Sequence, residues 1–135
     1  MAVNVAAVRA GMQHQLSAAL GLEVQVATAP DQLTPPCLLI GMPSIDYHAS
    51  FARGLDVMMM PIYGVLPRIH DQAAVDQADA WIAGVGPQSV RVILEDDPTL
   101  DGACQTLGVG EATAELWDGP VDQLPAYHWA VEVWG

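Results

Sequence analysis

Apolar positions along the first twenty residues recur at three- and four-residue steps: Val5, Val8, Met12, Leu16, Ala19 and Leu20. That spacing predicts an amphipathic helix with one buried stripe. Asn4 suits its N-cap and Gly21 its stop. Gly11 weakens the middle slightly or lets another part of the chain approach. From Leu22 to Ala27 the period changes to two, with Leu22, Val24 and Val26 against Glu23 and Gln25, predicting a half-exposed strand. Pro30 to Pro36 breaks the pattern as a loop. Cys37-Leu38-Leu39-Ile40 is a short, wholly apolar run, as in a central strand.

Gly41 to Gly54 is too long for a hairpin loop and predicts an extended connection. Leu55 to Leu66 is the longest apolar run. Leu55, Val57 and Met59 fall on one face, Met58, Met60 and Ile62 on the other, so both faces are expected to be buried. Pro61 has no N–H, which predicts an edge or a bulge there. Asp71 opens a second helix with the stripe Ala74, Val75, Ala78, Trp81 and Ile82, ended by Gly84 and Gly86. Pro87 and Ser89 start a short third helix with Val90, Ile93 and Leu94 inside. It runs into Glu95-Asp96-Asp97-Pro98, an anionic run that opposes the dipole and reads as a solvated turn or an interface feature. Cys104–Thr113 and Tyr127–Trp134 predict two closing strands, with a turn-rich acidic segment from Ala114 to Pro125 between them.

The order of elements predicts one α+β domain spanning residues 1–135: a mostly antiparallel sheet of about four to five strands, packed by the N-terminal helix and two mid-chain helices. No internal repeat, low-complexity tract or linker interrupts it.

Charge narrows the function. Sixteen acids face four bases, for a net charge of −12. All four bases are arginine (Arg9, Arg53, Arg68 and Arg91), and the chain has no lysine. That balance excludes the clustered cations that bind nucleic-acid phosphates or anionic membranes. Acidity keeps an apolar domain soluble, and it also keeps a surface from sticking to a polyanion. Residues Met1–Ala10 lack the apolar core of a secretory leader, and every apolar run is too short to span a membrane. Cys37 and Cys104 stand apart, outside any CxxC or Cys/His group, and read as two buried, reduced thiols, with a single disulfide as the alternative.

The sequence carries little that resembles chemistry. His14, His48, His70 and His128 form no i, i+4 pair and none stands beside a carboxylate at ligand spacing, so no metal is expected. Asp46-Tyr47-His48, with Ser44 and Ser50 near, could orient an imidazole for base catalysis, but the spacing is permissive and loop solvation or a partner contact suits it better. Gly84-Val85-Gly86 and Gly108-Val109-Gly110 are each half of a phosphate loop, and no lysine exists to complete one. Asp96, Asp97 and Asp101 lack the spacing and final glutamate of a calcium loop. Met58-Met59-Met60 could make an adaptable contact surface, but adjacent strand residues face opposite sides and the run reads better as core filler. Trp117, Trp129 and Trp134 are candidate interface anchors. No cofactor and no enzymatic activity are expected.

Several segments in order resemble the tail terminator proteins of long-tailed actinobacterial phages. They are the helix Val5–Leu20 leading to Gly21-Leu22-Glu23-Val24; Pro35-Pro36-Cys37-Leu38-Leu39-Ile40-Gly41; Pro43-Ser44-Ile45-Asp46-Tyr47-His48; Phe51-Ala52-Arg53-Gly54-Leu55-Asp56; Asp71-Gln72-Ala73-Ala74; and Gly86-Pro87-Gln88-Ser89-Val90. The Pro-Pro and Asp-Tyr-His segments are the most telling. Met58-Met59-Met60 is more apolar than that family's long strand, and His70-Asp71 stands where an Arg/Asp-rich turn is expected.

The resemblance implies a homo-oligomeric ring, usually a hexamer, at the head–tail junction of a virion assembled in the host cytoplasm. The ring caps the tail tube, stops its polymerisation and docks the head connector, while genomic DNA passes through the lumen unbound. Its implied partners are the tail-tube protein and the connector stopper. Candidate interface residues are Asp46, Tyr47, His48, Phe51, Arg53 and Trp134, with Arg53 the charged anchor of the Gly41–Gly54 connection. The rival expectations are another connector or tube component, and a small enzyme or ligand-binding domain using Asp46 and His48.

Overall fold

The structure is a computed structural model and describes residues 4–21, 24–26, 37–47, 57–67, 72–118 and 123–134. It is an α+β fold of three helices on a mostly antiparallel sheet. In chain order the elements are α1 (Val5–Leu20), β1 (Val24–Val26), β2 (Cys37–Ile40), β3 (Ser44–Asp46), β4 (Val57–Val65), α2 (Gln72–Ile82), α3 (Val90–Asp96), β5 (Thr106–Asp118) and β6 (Gln123–Trp134). The sheet runs β1-β2-β4-β6-β5, with β3 also paired to β4. All pairs are antiparallel except β1 with β2.

Helix α1 forms where its periodicity predicts. Asn4 Oδ1 accepts the Ala7 N–H at 3.1 Å, and Gly21 closes the helix in the left-handed region at φ 69°. Val8, Met12 and Leu16 are buried, Val5 and Leu20 pack at the margin, and Ala19 lies exposed, one step off the stripe. Gly11 serves close approach, since a Cβ there would stand 3.0 Å from Leu100 Cβ in the turn after α3. Gln15 donates its side-chain N–H to the Ile93 and Leu94 carbonyls, satisfying the end of α3 from α1.

Strand β4 is the spine of the sheet. Met58, Met60 and Ile62 are fully buried against the helices, each contributing about 1.5–3 kcal/mol of burial. The other face differs from the expectation of two buried faces: Met59 is exposed, while Val57, Pro61 and Tyr63 are only half-buried. No described helix packs on that side, so over Val57–Tyr63 alternation decides which residues go inside, while at the end of the strand Val65, on the same face, is buried with Cys37 and Ala126.

Pro61 sits in the middle of this central strand, at an irregularity of the expected kind: the β2 register (Ile40↔Ile62) and the β3 register (Ser44↔Met59) differ by one residue. Gly41 N–H donates to the Pro61 carbonyl at 2.9 Å, so the backbone polar groups of Pro61 face the β2–β3 side. There β2 pairs only with Ile62–Val65 and β3 only with Val57–Met59. The missing N–H falls between them, opposite Gly41, where the ladder from β2 ends.

Two further boundaries shift. The Gly41–Gly54 connection contains β3, because Ser44, Ile45 and Asp46 take up the part of the β4 edge that β2 leaves free. The segment read as an acidic turn, Ala114 to Pro125, is mostly strand: β5 continues to Asp118 and β6 starts at Gln123. Cross-strand pairing overrides the weak strand preference of Ala and Glu. The register shifts between Val109 and Ala112, placing a bulge at Gly110-Glu111.

The turn after α3 is built by its acids. Asp97 accepts from the Thr99 hydroxyl at 2.8 Å, the Thr99 N–H at 3.3 Å and the Asp101 N–H at 2.9 Å. These bonds, led by the Thr99 hydroxyl, hold the Asp97 carboxyl below its ordinary value of 3.8. A depressed value means the charged form supports the turn. That support is complete above the ordinary value and is lost as pH falls through the depressed one. The Asp101 amide is therefore expected to lose its protection from exchange below about pH 4 in NMR titration. Asp97→Asn should show the loss at neutral pH.

Candidate functional site

The sheet has two unlike faces. Residues directly opposite in a ladder share a face, so the register sorts them. Met58, Val133 and Leu107 lie toward the helices, as do Ile40, Ile62 and Trp129. Asp46, Val57, Trp134 and Thr106 form one row across four strands on the opposite face. Ser44, Met59, Glu132 and Gly108 form the next row.

Two of the six candidate interface residues, Asp46 and Trp134, thus meet in one row, joined through Val57. Tyr47 follows Asp46 directly and is 64% exposed. Trp134 is half-buried and held in the sheet, its carbonyl accepting the Gln105 N–H at 2.8 Å. Asp46 stands in β3, at the sheet's edge, and not in a loop. His48, Phe51 and Arg53 lie outside the described residues, as do His70 and Asp71. Trp129 is a core residue, 1% exposed. Trp117 lies in β5.

Beside this row the face that no described helix covers carries a mainly apolar patch. Met42, Pro43, Ser44, Met59, Pro61 and Ala130 line a shallow groove of about 260 Å³. Met42 is 80% and Met59 38% exposed. The Met58-Met59-Met60 run divides between core and surface, and Met42, which has no sequence signal, joins it. Alternation alone turns Met59 outward, and its place beside β3 sets it against Met42. Farther along the same face Tyr63 and His128 stack with centroids 5.0 Å apart. Burial, and then the nearby Glu115 carboxylate, push the Tyr63 hydroxyl above its usual value.

Catalytic candidates are not assembled. No cluster of three metal-ligating side chains exists among the described residues. His14 lies exposed on α1, across an open groove of about 540 Å³ from Asp96 and Asp101, while Asp97 is occupied by its own turn. Neither cysteine is in a disulfide. Cys37 is buried. Cys104 donates to the Pro98 carbonyl, and burial, followed by Asp97, raises its thiol above the usual range, so little thiolate forms at neutral pH. Gly84-Val85-Gly86 follows α2 as a bend, and Gly108-Val109-Gly110 lies in β5 leading into its bulge; neither opens a helix that could hold a phosphate. No helix among the described residues is long and apolar enough to cross a membrane.

In comparisons with known proteins, no family model and no curated protein matches this chain.

Proposed function

We propose that this protein is a structural subunit of the tail-terminator type. Copies close head-to-tail into a ring of six, cap the head-proximal end of a phage tail tube, stop its growth and dock the head connector. The observation that carries this reading is the sheet face that no described helix covers, where Met42 and Met59 stand exposed in one groove beside the Asp46–Trp134 row, with exposed Tyr47 next to Asp46 in the chain. Apolar side chains gathered on one face mark an association surface, and adaptable methionines suit one. The ordered segments that resemble the terminator family include this same stretch, Pro43 to His48. A ring contact is heterologous, joining this face to a different patch of the next copy. The net charge of −12 and the lack of lysine suit a subunit whose lumen passes DNA without trapping it.

The test is the mass of the purified protein across a concentration series, with negative-stain imaging alone and on added tail tubes. Rings, free or on tube ends, are expected. Tyr47→Asp, on a side chain already mostly in solvent, should keep the circular dichroism of the parent and lose the rings. A protein that stays monomeric and neither caps nor shortens tubes would overturn the proposal.

A further inference from the structure

Strand β5 is an outer edge of the sheet, and its two halves are treated differently. Glu95 at the end of α3 accepts the Val109 N–H at 3.0 Å. Its carboxylate takes the donor that an added strand would use, so the inner half is blunted. Past the Gly110-Glu111 bulge this cover ends. Glu111, Ala112, Thr113, Ala114, Glu115 and Leu116 are all exposed, and no described residue pairs with their outer side.

The direction of the backbone groups follows from the register. Leu116 stands opposite Pro125, which has no N–H, and the Pro125 carbonyl accepts the Leu66 N–H on the other side of β6. The Leu116–Pro125 pair is therefore a non-hydrogen-bonded one, and the N–H and C=O of Leu116 point away from β6. By alternation those of Ala114 and Ala112 do the same. An open ladder of three residues faces outward. Glu111, Thr113 and Glu115 share one face of it, and Ala112, Ala114 and Leu116 the other.

Charge decides what fits. A second β5 laid antiparallel about Thr113 would set Glu111 against Glu115 twice, a like-charge pairing that destabilises a sheet. The chain has no lysine, and Arg91 is paired with Glu95 at 3.3 Å. We propose that the outer half of β5 receives an extended basic segment of a different protein as an added strand. Lysines or arginines on one face of that segment would meet Glu111 and Glu115. Apolar side chains on the other would cover the two alanines beside Leu116. This inference rests on the strand edge alone and is independent of the ring proposal, whose surface lies at the other end of the sheet.

The probe is a capped eight-residue peptide of alternating lysine and valine, with a glutamate–valine peptide as control. Binding to the full chain is read by NMR shifts and fluorescence anisotropy. The basic peptide is expected to bind at least about tenfold tighter and to weaken by about tenfold or more between 0.05 and 0.5 M salt. Its shifts should centre on residues 111–116. Ala114→Pro removes one outward N–H at a position where proline leaves the β5–β6 ladder intact, and should abolish binding. The double variant Glu111→Lys, Glu115→Lys keeps the edge and should reverse the preference to the acidic peptide. Equal binding of the two peptides, binding unchanged by Ala114→Pro, or shifts spread over the acidic surface would overturn the proposal. So would a concentration-dependent rise in mass that Ala114→Pro removes, which would identify the occupant as a second copy.

Discussion

Replacing Gly64 with alanine is expected to lower stability by about 1–3 kcal/mol, the usual cost of overpacking, although alanine is ordinarily the better strand residue. A Cβ at Gly64 would stand 2.9 Å from Trp129 Cζ3, 3.0 Å from Trp81 Cε3 and 3.1 Å from Trp129 Cη2. Gly64 shares a row with Leu38 and Tyr127 on the helix side of the sheet, and the two indoles lie over the space its missing side chain leaves. Both rings are fully buried, so neither can swing into solvent. The entropy that alanine saves in the unfolded chain, about 0.5–1 kcal/mol, is smaller than the clash. Gly64→Val should cost more than Gly64→Ala.

The control is Trp129→Phe, which removes both Trp129 atoms that crowd the site. By itself it leaves a void and destabilises. Combined with Gly64→Ala it should be better tolerated than the two single losses added together, by about 0.5–3 kcal/mol of coupling. Urea unfolding of the four proteins measures this. Strict additivity would show that Gly64 is glycine for a reason other than room for Trp129.

Ser89→Ala is expected to cost a similar amount, about 1–3 kcal/mol, through hydrogen bonds and not packing. Ser89 is the N-cap of α3 and is fully buried. Its Oγ accepts the Val92 N–H at 3.3 Å and donates to the Ala83 carbonyl just past α2. One hydroxyl therefore caps one helix and closes the end of the other. Alanine loses both bonds. Ser89→Asp retains an acceptor for Val92 but has no proton for Ala83 once ionised, and sets a carboxylate against that carbonyl. It should recover no stability at neutral pH. If Ser89→Asp matches the parent in urea, the bond to Ala83 contributes little and the cap alone explains the residue.

The helices were legible because each carries an apolar stripe, and α1 and α3 their caps as well. Asn4 and Gly21 bound α1, and Ser89 marks the start of α3. Their apolar stripes supplied Val8, Met12 and Leu16, then Ala74, Ala78 and Trp81, then Val90, Ile93 and Leu94, all buried. These signals are local: a cap and a 3.6-residue period act within a few residues of chain. The same holds for β2, four apolar residues that are all buried.

The candidate interface was only partly visible. Asp46 and Tyr47 were marked by their segment and Trp134 by its residue type, but nothing in the chain set Asp46 and Trp134 in one row. That row exists because both pair with Val57 from opposite sides. Met42 carried no signal, and Met59 was hidden within a run that composition alone assigns to the core.

By itself, then, the sequence determined the α+β class, three helices with their buried stripes, the apolar central strands, and a charge unsuited to binding phosphate. Tertiary structure alone decided the rest. Pairing to β4 turned part of a loop into β3 and placed Pro61 between β2 and β3. Pairing to β6 drew an acidic, alanine-bearing segment into β5. Ladder partners are chosen from distant parts of the chain, and a strand's exposure depends on what covers each face. No local pattern encodes either one.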